Sequence, residues 1–329
     1  MSTRLHTVHL KTTPAITTNS DGIRSADRED ITAFLDRLQL KKPKTRATYR
    51  ESAESFARFI ASRGMPLLEN VEREHIEAWC DFLNANGNKP ATIRNRQAGL
   101  RALYNWMLDR ERRKTHPMAK IKFVSIPDTL QPHYEIADLL AVLDKIPAKK
   151  ANYMDLRDRA IILFLVDTGV RAQELCDLRI KDLDRQAHRA EIVSGKGGKG
   201  RRVHYNADVA GAIYDYIKRR GGGFEKLDPV APLFAAKDKG PLAFNGLRMI
   251  MQRRFAAAGV EFRGLHGFRR TAGIMYLGNK GDPAALKEMM GWNSWSMLAK
   301  YTKATAVERA LEDHETHSPV DTLLKGRKS

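Results

Sequence analysis

Four short stretches of this sequence carry side chains suited to holding a phosphodiester. In TGVRAQEL, Arg171 follows Thr168-Gly169-Val170 and Glu174 stands three residues on, so on a helix the two share a face and the carboxylate can orient the guanidinium. The run Gly195-Lys196-Gly197-Gly198-Lys199-Gly200 offers lysines on a glycine-rich turn between two β-like segments. In Leu265-His266-Gly267-Phe268-Arg269 a histidine and an arginine stand at i and i+3, able to point at one ligand, and MLAKYTK holds Tyr301. An Arg/Glu pair alone is most often a surface ion pair, and HxxR arises by chance; their order along one chain carries the weight.

Other chemistries fit less well. No Gly-Lys pair in the glycine-rich run is followed by Ser or Thr, and a strand rather than a helix comes next, which argues against a nucleotide-binding loop. His314-Glu315-Thr316-His317 has one residue too few between its histidines for a zinc-protease signature. The sequence holds no GxSxG elbow, and Cys80 and Cys176 suggest neither a thiol nucleophile nor a zinc site; no metal or cofactor is expected.

A scaffold must bring these stretches together, and 329 residues at 42% hydrophobic content suffice for two domains. Residues 1–27, rich in Thr and Ser, read as a flexible tail. Residues 28–113 read as a small all-α domain of four helices, with apolar stripes at Ile31, Phe34, Leu35, Leu38; Tyr49, Phe56, Phe59, Ile60; Ile76, Trp79, Cys80, Phe82; and Leu100, Leu103, Tyr104, Met107. Residues 114–133, with Pro117, Pro127 and Pro132, read as a linker. Residues 134–303 read as a mostly helical domain interrupted by a small β-hairpin, Ala190–Val193 and Arg202–Tyr205. Its first helix carries Ile136, Leu139, Leu140 and Leu143, and a later one is punctuated by Asp282-Pro283 and Gly291. Residues 304–329 form a tail in which Ala306, Val307, Ala310 and Leu311 are spaced as an apolar stripe.

The balance of 57 Lys and Arg against 39 Asp and Glu, a net charge of +18, points to a polyanionic partner, with nucleic acid ahead of an anionic membrane. Lys41, Lys42, Lys44, Arg46, Arg50, Arg94, Arg96 and Arg101 in the first domain, with Lys199, Arg201 and Arg202 at the hairpin, are the candidates to track phosphates. Two cysteines make no disulfide framework, no apolar signal core opens the sequence, and the longest apolar run, 160–166, is too short to span a bilayer. A cytoplasmic protein without a membrane partner is expected.

Over residues 28–305 the sequence resembles the tyrosine recombinases, the phage integrase type of DNA strand-exchange enzyme. The resemblance makes 28–113 a SAM-like core-binding domain and 134–303 the catalytic domain. Arg171 matches the family's first arginine and Glu174 its acidic neighbour; Lys196 matches the hairpin lysine, with Lys199 close enough to compete. His266 and Arg269 match the HxxR box, Trp292 stands where members carry a His or, less often, a Trp, and Tyr301, nine residues on, matches the nucleophile. Arg270 departs from the His that often follows the second arginine, and an indole at 292 can donate a hydrogen bond but not shuttle a proton.

What the resemblance implies is metal-free phosphodiester chemistry. Tyr301 would form a 3′-phosphotyrosine that conserves bond energy, Arg171 and Arg269 would clamp the non-bridging oxygens, and Lys196 would protonate the departing 5′-oxygen. His266 would take the tyrosine proton or hydrogen-bond the phosphate, and Trp292 would donate its N–H. The expected partner is double-stranded DNA, clasped between the two domains by a homotetramer on two paired sites that works through a Holliday junction, with room for accessory proteins. The segment after the tyrosine would dock on a neighbouring subunit. Two alternatives are a type IB topoisomerase-like relaxing enzyme, against which the small first domain argues, and a non-catalytic DNA-binding regulatory or architectural protein, against which the filled catalytic positions argue.

Overall fold

A computed structural model of the protein describes residues 19–126, 132–147, 151–193, 200–302, 314 and 320. The chain divides into two units, Met1–Asp128 and Thr129–Ser329. Among the described residues the first holds four α-helices: α1 (Ser25–Arg37), α2 (Pro43–Ser62), α3 (Arg73–Ala85) and α4 (Pro90–Asp109). Proline opens both α2 and α4, where its missing N–H costs no helical bond. Phe34, Phe56, Ile60, Trp79, Leu100, Leu103 and Tyr104 form the buried core. At the α2–α4 crossing a Cβ on Gly99 would lie 2.4 Å from Ser52 Oγ, so only glycine lets the helices approach this closely.

Both edges of this unit differ from the sequence reading. The packed chain starts before residue 28: Ile23 and Arg24 are buried, and Arg24 pairs with Asp27 at 2.7 Å while donating to the carbonyls of Met65 and Pro66. The expected linker also packs as far as it is described before residue 127. Met118 and Ile121 are buried, Arg101 donates to their carbonyls at 3.2 and 3.0 Å, and Gln97 accepts the Val124 N–H at 2.8 Å. A segment satisfied by side chains from α4 needs no apolar periodicity of its own, which is why its pattern reads as a linker.

The second unit comprises α5 (Ile136–Asp144), α6 (Tyr153–Thr168), α7 (Ala172–Asp177), α8 (Ala207–Gly221), α9 (Phe244–Ala257), α10 (Leu265–Gly278), α11 (Pro283–Met290) and α12 (Trp295–Thr302). An antiparallel sheet of β1 (Leu183–Asp184), β2 (Arg189–Ile192) and β3 (Arg201–His204) interrupts them. Ala190 pairs with Val203 on one side and Leu183 on the other, so the hairpin gains a third, two-residue strand too short to show in the sequence. Helix α6 is buried through Ala160, Ile161, Ile162, Phe164 and Leu165 and packs against α8 and α10, forming the centre of the unit. Asn152, Asn206 and Asp282 cap α6, α8 and α11 by accepting first-turn N–H groups.

On α5 the expected stripe is half right. Leu139 is buried, whereas Ile136 and Leu140 are more than half exposed and Val142 takes the inner position. A second, smaller cluster of Leu277, Leu286, Met290, Trp292 and Leu298 joins α10, α11 and α12 and carries Tyr301 at its edge.

Candidate active site

Gly169 ends α6 at a left-handed φ of 60°, and a Cβ there would lie 2.5 Å from Met290 Cε, so both the turn and its neighbour require glycine. Two residues later Arg171 caps α7. Its N–H donates to Glu174 Oε2 at 2.8 Å and its Nη1 to Oε1 at 2.8 Å, the local pairing expected from the sequence. Arg201, from β3, forks onto the same carboxylate at 3.0 and 2.7 Å. Burial alone would raise Glu174, but hydrogen bonds from Arg201 and Arg171 outweigh it and hold the carboxyl at about 2.

Helix α10 starts at Leu265, so both members of the HxxR pair lie within its first turns. Arg269 is 2% exposed; its Nη1 donates to the Gly169 carbonyl at 2.6 Å and its Nη2 to the Met290 carbonyl. Burial, then the charges of Arg171 and Arg201, bring its pKa down to about 10, which leaves it ionised at neutral pH. His266, one turn earlier, is exposed to solvent yet partly desolvated by the protein around it. That desolvation, then the guanidiniums of Arg270, Arg269 and Arg171, push it down to about 4.

Trp292 follows the left-handed Gly291 that ends α11, and is buried with the Arg269 guanidinium carbon 5.7 Å from its ring centre. The Tyr301 ring stacks on Trp292 with centroids 4.9 Å apart and planes 28° from parallel. The ring also lies against α10 at Gly273, where a Cβ would come within 3.2 Å of it. Burial raises the Tyr301 phenol, with Arg269 and Arg270 pulling in the opposite direction. Residues 171, 174, 266, 269, 292 and 301, drawn from three separated stretches, thus meet at one place. Lys196 and Lys199 lie outside the described residues, as does the 304–329 stripe.

The candidate phosphate-tracking residues divide. Lys41, Lys42, Lys44, Arg50 and Arg202 are exposed. Arg46 lies 3.7 Å from Asp36, and Arg94, although exposed, donates to the Val124 carbonyl at 3.2 Å. Arg96 is engaged by Glu51 at 2.7 Å, and Arg101 by two carbonyls and the Phe123 ring, 4.2 Å from its guanidinium carbon. Arg201 is corrected most plainly: its side chain is 14% exposed and turned inward onto Glu174 and the Met289 carbonyl at 2.9 Å. The sequence reading missed that inward role, and also the contact between Gly273 and Tyr301. Neither has a local signal, since the partners stand 27 and 28 residues apart.

The Phage integrase family pattern matches residues 132–308, just over half the chain, and the Phage integrase, N-terminal SAM-like domain matches 28–114. The tyrosine recombinase XerC of Myxococcus xanthus is 28% identical over 291 residues, covering 84% of this chain and 92% of that one. XerC of Pelobacter propionicus is 27% identical over 297 residues, covering 88% and 95%. The fold is similar to that of the Tn1549 transposon integrase in complex with a circular intermediate DNA (TM-score 0.68, 17% identity, 85% of this chain and 99% of that one). It is also similar to a lambda integrase tetramer bound to a Holliday junction (TM-score 0.66, 16% identity, 83% and 76%). Matched across its C-terminal unit and aligned over more than four-fifths of its length with curated relatives, the chain belongs to the phage integrase family, the tyrosine-type site-specific DNA recombinases.

Proposed function

We propose that this chain cuts and rejoins double-stranded DNA at specific sites with Tyr301 as nucleophile. The observation that carries the reading is the meeting of the Tyr301 ring with Trp292 and with α10, the helix that bears His266 and Arg269. Tyr301 Oη attacks the scissile phosphorus, a P–O bond to tyrosine forms, and the bond to the 5′-oxygen breaks, leaving a 3′-phosphotyrosyl protein and a free 5′-hydroxyl. The phenol, raised by burial, is protonated at neutral pH, while His266, held near 4, is uncharged and able to take its proton. Arg171 and Arg269 stay charged and stabilise the negative charge growing on the non-bridging oxygens, and Lys196 gives the departing oxygen its proton. Attack by a 5′-hydroxyl from the partner duplex reverses the step and releases Tyr301.

Exchange between two duplexes takes four such cuts, so the working unit is a homotetramer on two paired sites that passes through a Holliday junction, with residues 304–329 docking on a neighbouring subunit. DNA lies against both units, with Lys41, Lys42, Lys44, Arg50 and Arg202 on its phosphates. The cytoplasm is the assigned compartment; no helix among the described residues is long and apolar enough to cross a membrane.

The test is to trap the protein on fragmented DNA of its source and sequence what is attached. The expected result is an adduct at Tyr301 that Tyr301→Phe abolishes while DNA binding persists. An adduct mapping to Tyr276, or no adduct, overturns the assignment. Relaxation of supercoils without exchange between two sites would make the protein a topoisomerase instead.

A further inference from the structure

Arg201 occupies a position that a phosphate contact does not need. Its Nη1 and Nη2 reach Glu174 Oε1 and Oε2 at 3.0 and 2.7 Å, and its Nε reaches the Met289 carbonyl at 2.9 Å. With Nη1 and the backbone N–H of Arg171 also on Glu174, four donors fill the four lone-pair sites of one carboxylate. The arginine stem lies along Gly291, where a Cβ would stand 3.2 Å from Arg201 Cδ, and the next carbonyl along from Met289, that of Met290, accepts Arg269. One guanidinium therefore joins β3, the carboxylate that orients Arg171, and the helix end that leads into Trp292. Arg171 itself is 46% exposed, and among the described residues Glu174 is its only ion-pair partner. A carboxylate held from one side by Arg201 cannot swing away with Arg171.

We infer, on the strength of the proposed strand-cleavage reading, that Arg201 is a positioning residue for the phosphate clamp: by locking Glu174 it holds the Arg171 fork ready for a non-bridging oxygen. The outward-facing Arg202 beside it is the phosphate-tracking member of the pair. Lysine does not replace Arg201, since a point charge cannot fork onto a carboxylate and reach a carbonyl together.

The experiment uses the full chain and nicked duplexes carrying the site recovered from the Tyr301 adducts. One duplex has an ordinary scissile phosphate and one a neutral methylphosphonate there, which has no negative charge for Arg171 to offset. On the phosphate, Arg201→Gln and Arg201→Lys are expected to cleave about 10- to 100-fold more slowly than the unsubstituted protein, as when the hydrogen-bond partner that orients a metal ligand is removed. On the methylphosphonate the deficit should shrink towards parity, as it should for Arg171→Ala. The Arg201→Gln, Glu174→Gln double variant should be no worse than the poorer single variant, because both act through one link.

Unchanged cleavage of phosphate by Arg201→Gln overturns the inference, as does an equal deficit on both substrates in a variant with unaltered circular dichroism. A deficit relieved by a 5′-bridging sulfur, which leaves without a proton, also overturns it by placing the defect at the leaving group. Should Arg201→Gln fail to fold, Glu174→Gln decides: relief on the methylphosphonate supports the link, and no relief removes it. If the unsubstituted protein forms no Tyr301 adduct, the cleavage reading fails; if it forms one and the variants match it, only the role of Arg201 fails.

Discussion

Arg101 in the first unit and Arg269 in the second are held in the same manner and differ in what lies beyond them. Each donates to two backbone carbonyls, Arg101 to Met118 and Ile121 and Arg269 to Gly169 and Met290, and each lies near an aromatic ring. Neither has a carboxylate partner within salt-bridge distance among the described residues. Arg101 caps a stretch of chain and covers Phe123, so its donors serve to pin residues 118–124 to α4. Arg269 stands by the Trp292 ring, near Arg171 and His266, where the proposed strand cleavage would bring a phosphate. Carbonyl ligation fixes a guanidinium without neutralising it; whether the charge then serves packing or chemistry depends on what the fold sets in front of it.

The largest expected break in this comparison is Arg269→Gln. It should lower the rate of covalent cleavage by about 10²- to 10³-fold, the usual consequence of removing a donor from developing oxyanion charge, while the protein still binds its DNA. Single-turnover trapping at saturating protein measures it. Arg101→Gln should leave that rate near normal, and a drop as large as that for Arg269→Gln would erase the distinction.

Stability gives the next effect. Arg101→Ala leaves two carbonyls short of a donor and uncovers Phe123, and it should cost about 1–3 kcal/mol in urea unfolding. Its slope of log K against log salt should stay as it was. Arg50→Ala, on an exposed side chain, should do the reverse: stability within about 0.5 kcal/mol and a salt slope reduced by about 0.9, one phosphate contact's worth. A salt slope that moves with Arg101 and not with Arg50 would mean that the two have been assigned the wrong way round.

The smallest effect is in the pH dependence of the free protein. His266 is held near 4 against an ordinary value of 6.5, so the unfolded chain binds a proton that the folded site resists. Stability from this group is complete above pH 6.5 and is lost as pH falls to about 4. His266→Gln should remove that part of the decline, on the order of 1 kcal/mol once the solvent exposure of the residue is allowed for. Thermal melts of both proteins across that interval measure it. Arg101→Gln should not alter the profile.

What was legible in the sequence lay in short stretches whose physics is local. Asp282 and Gly291 bound α11 as read, because a cap and a left-handed glycine act within one turn. Glu174 meets Arg171 as read, here because Arg171 is the N-cap of α7 and Glu174, at the third helical position, reaches back to it in a capping box. The TGVRAQEL, LHGFRR and MLAKYT stretches were enough to suggest the family, and the 42% hydrophobic chain divides into two compact units.

What lay beyond the sequence was every partner chosen across the fold. Arg96, Arg101 and Arg201 look like any basic residue on a polar face, and only packing shows that Glu51, the 118–121 carbonyls and Glu174 take them up. The 114–126 stretch reads as a linker because side chains of α4, Arg101 and Gln97, tie it down along with its own turn hydrogen bonds, and Tyr301 reaches its place because Gly273, 28 residues back, leaves room for its ring. Spacing along the chain determines which side chains share a helical face. Which distant carbonyl, carboxylate or ring stands opposite that face is decided when the helices pack, since a guanidinium binds whichever acceptor the fold delivers.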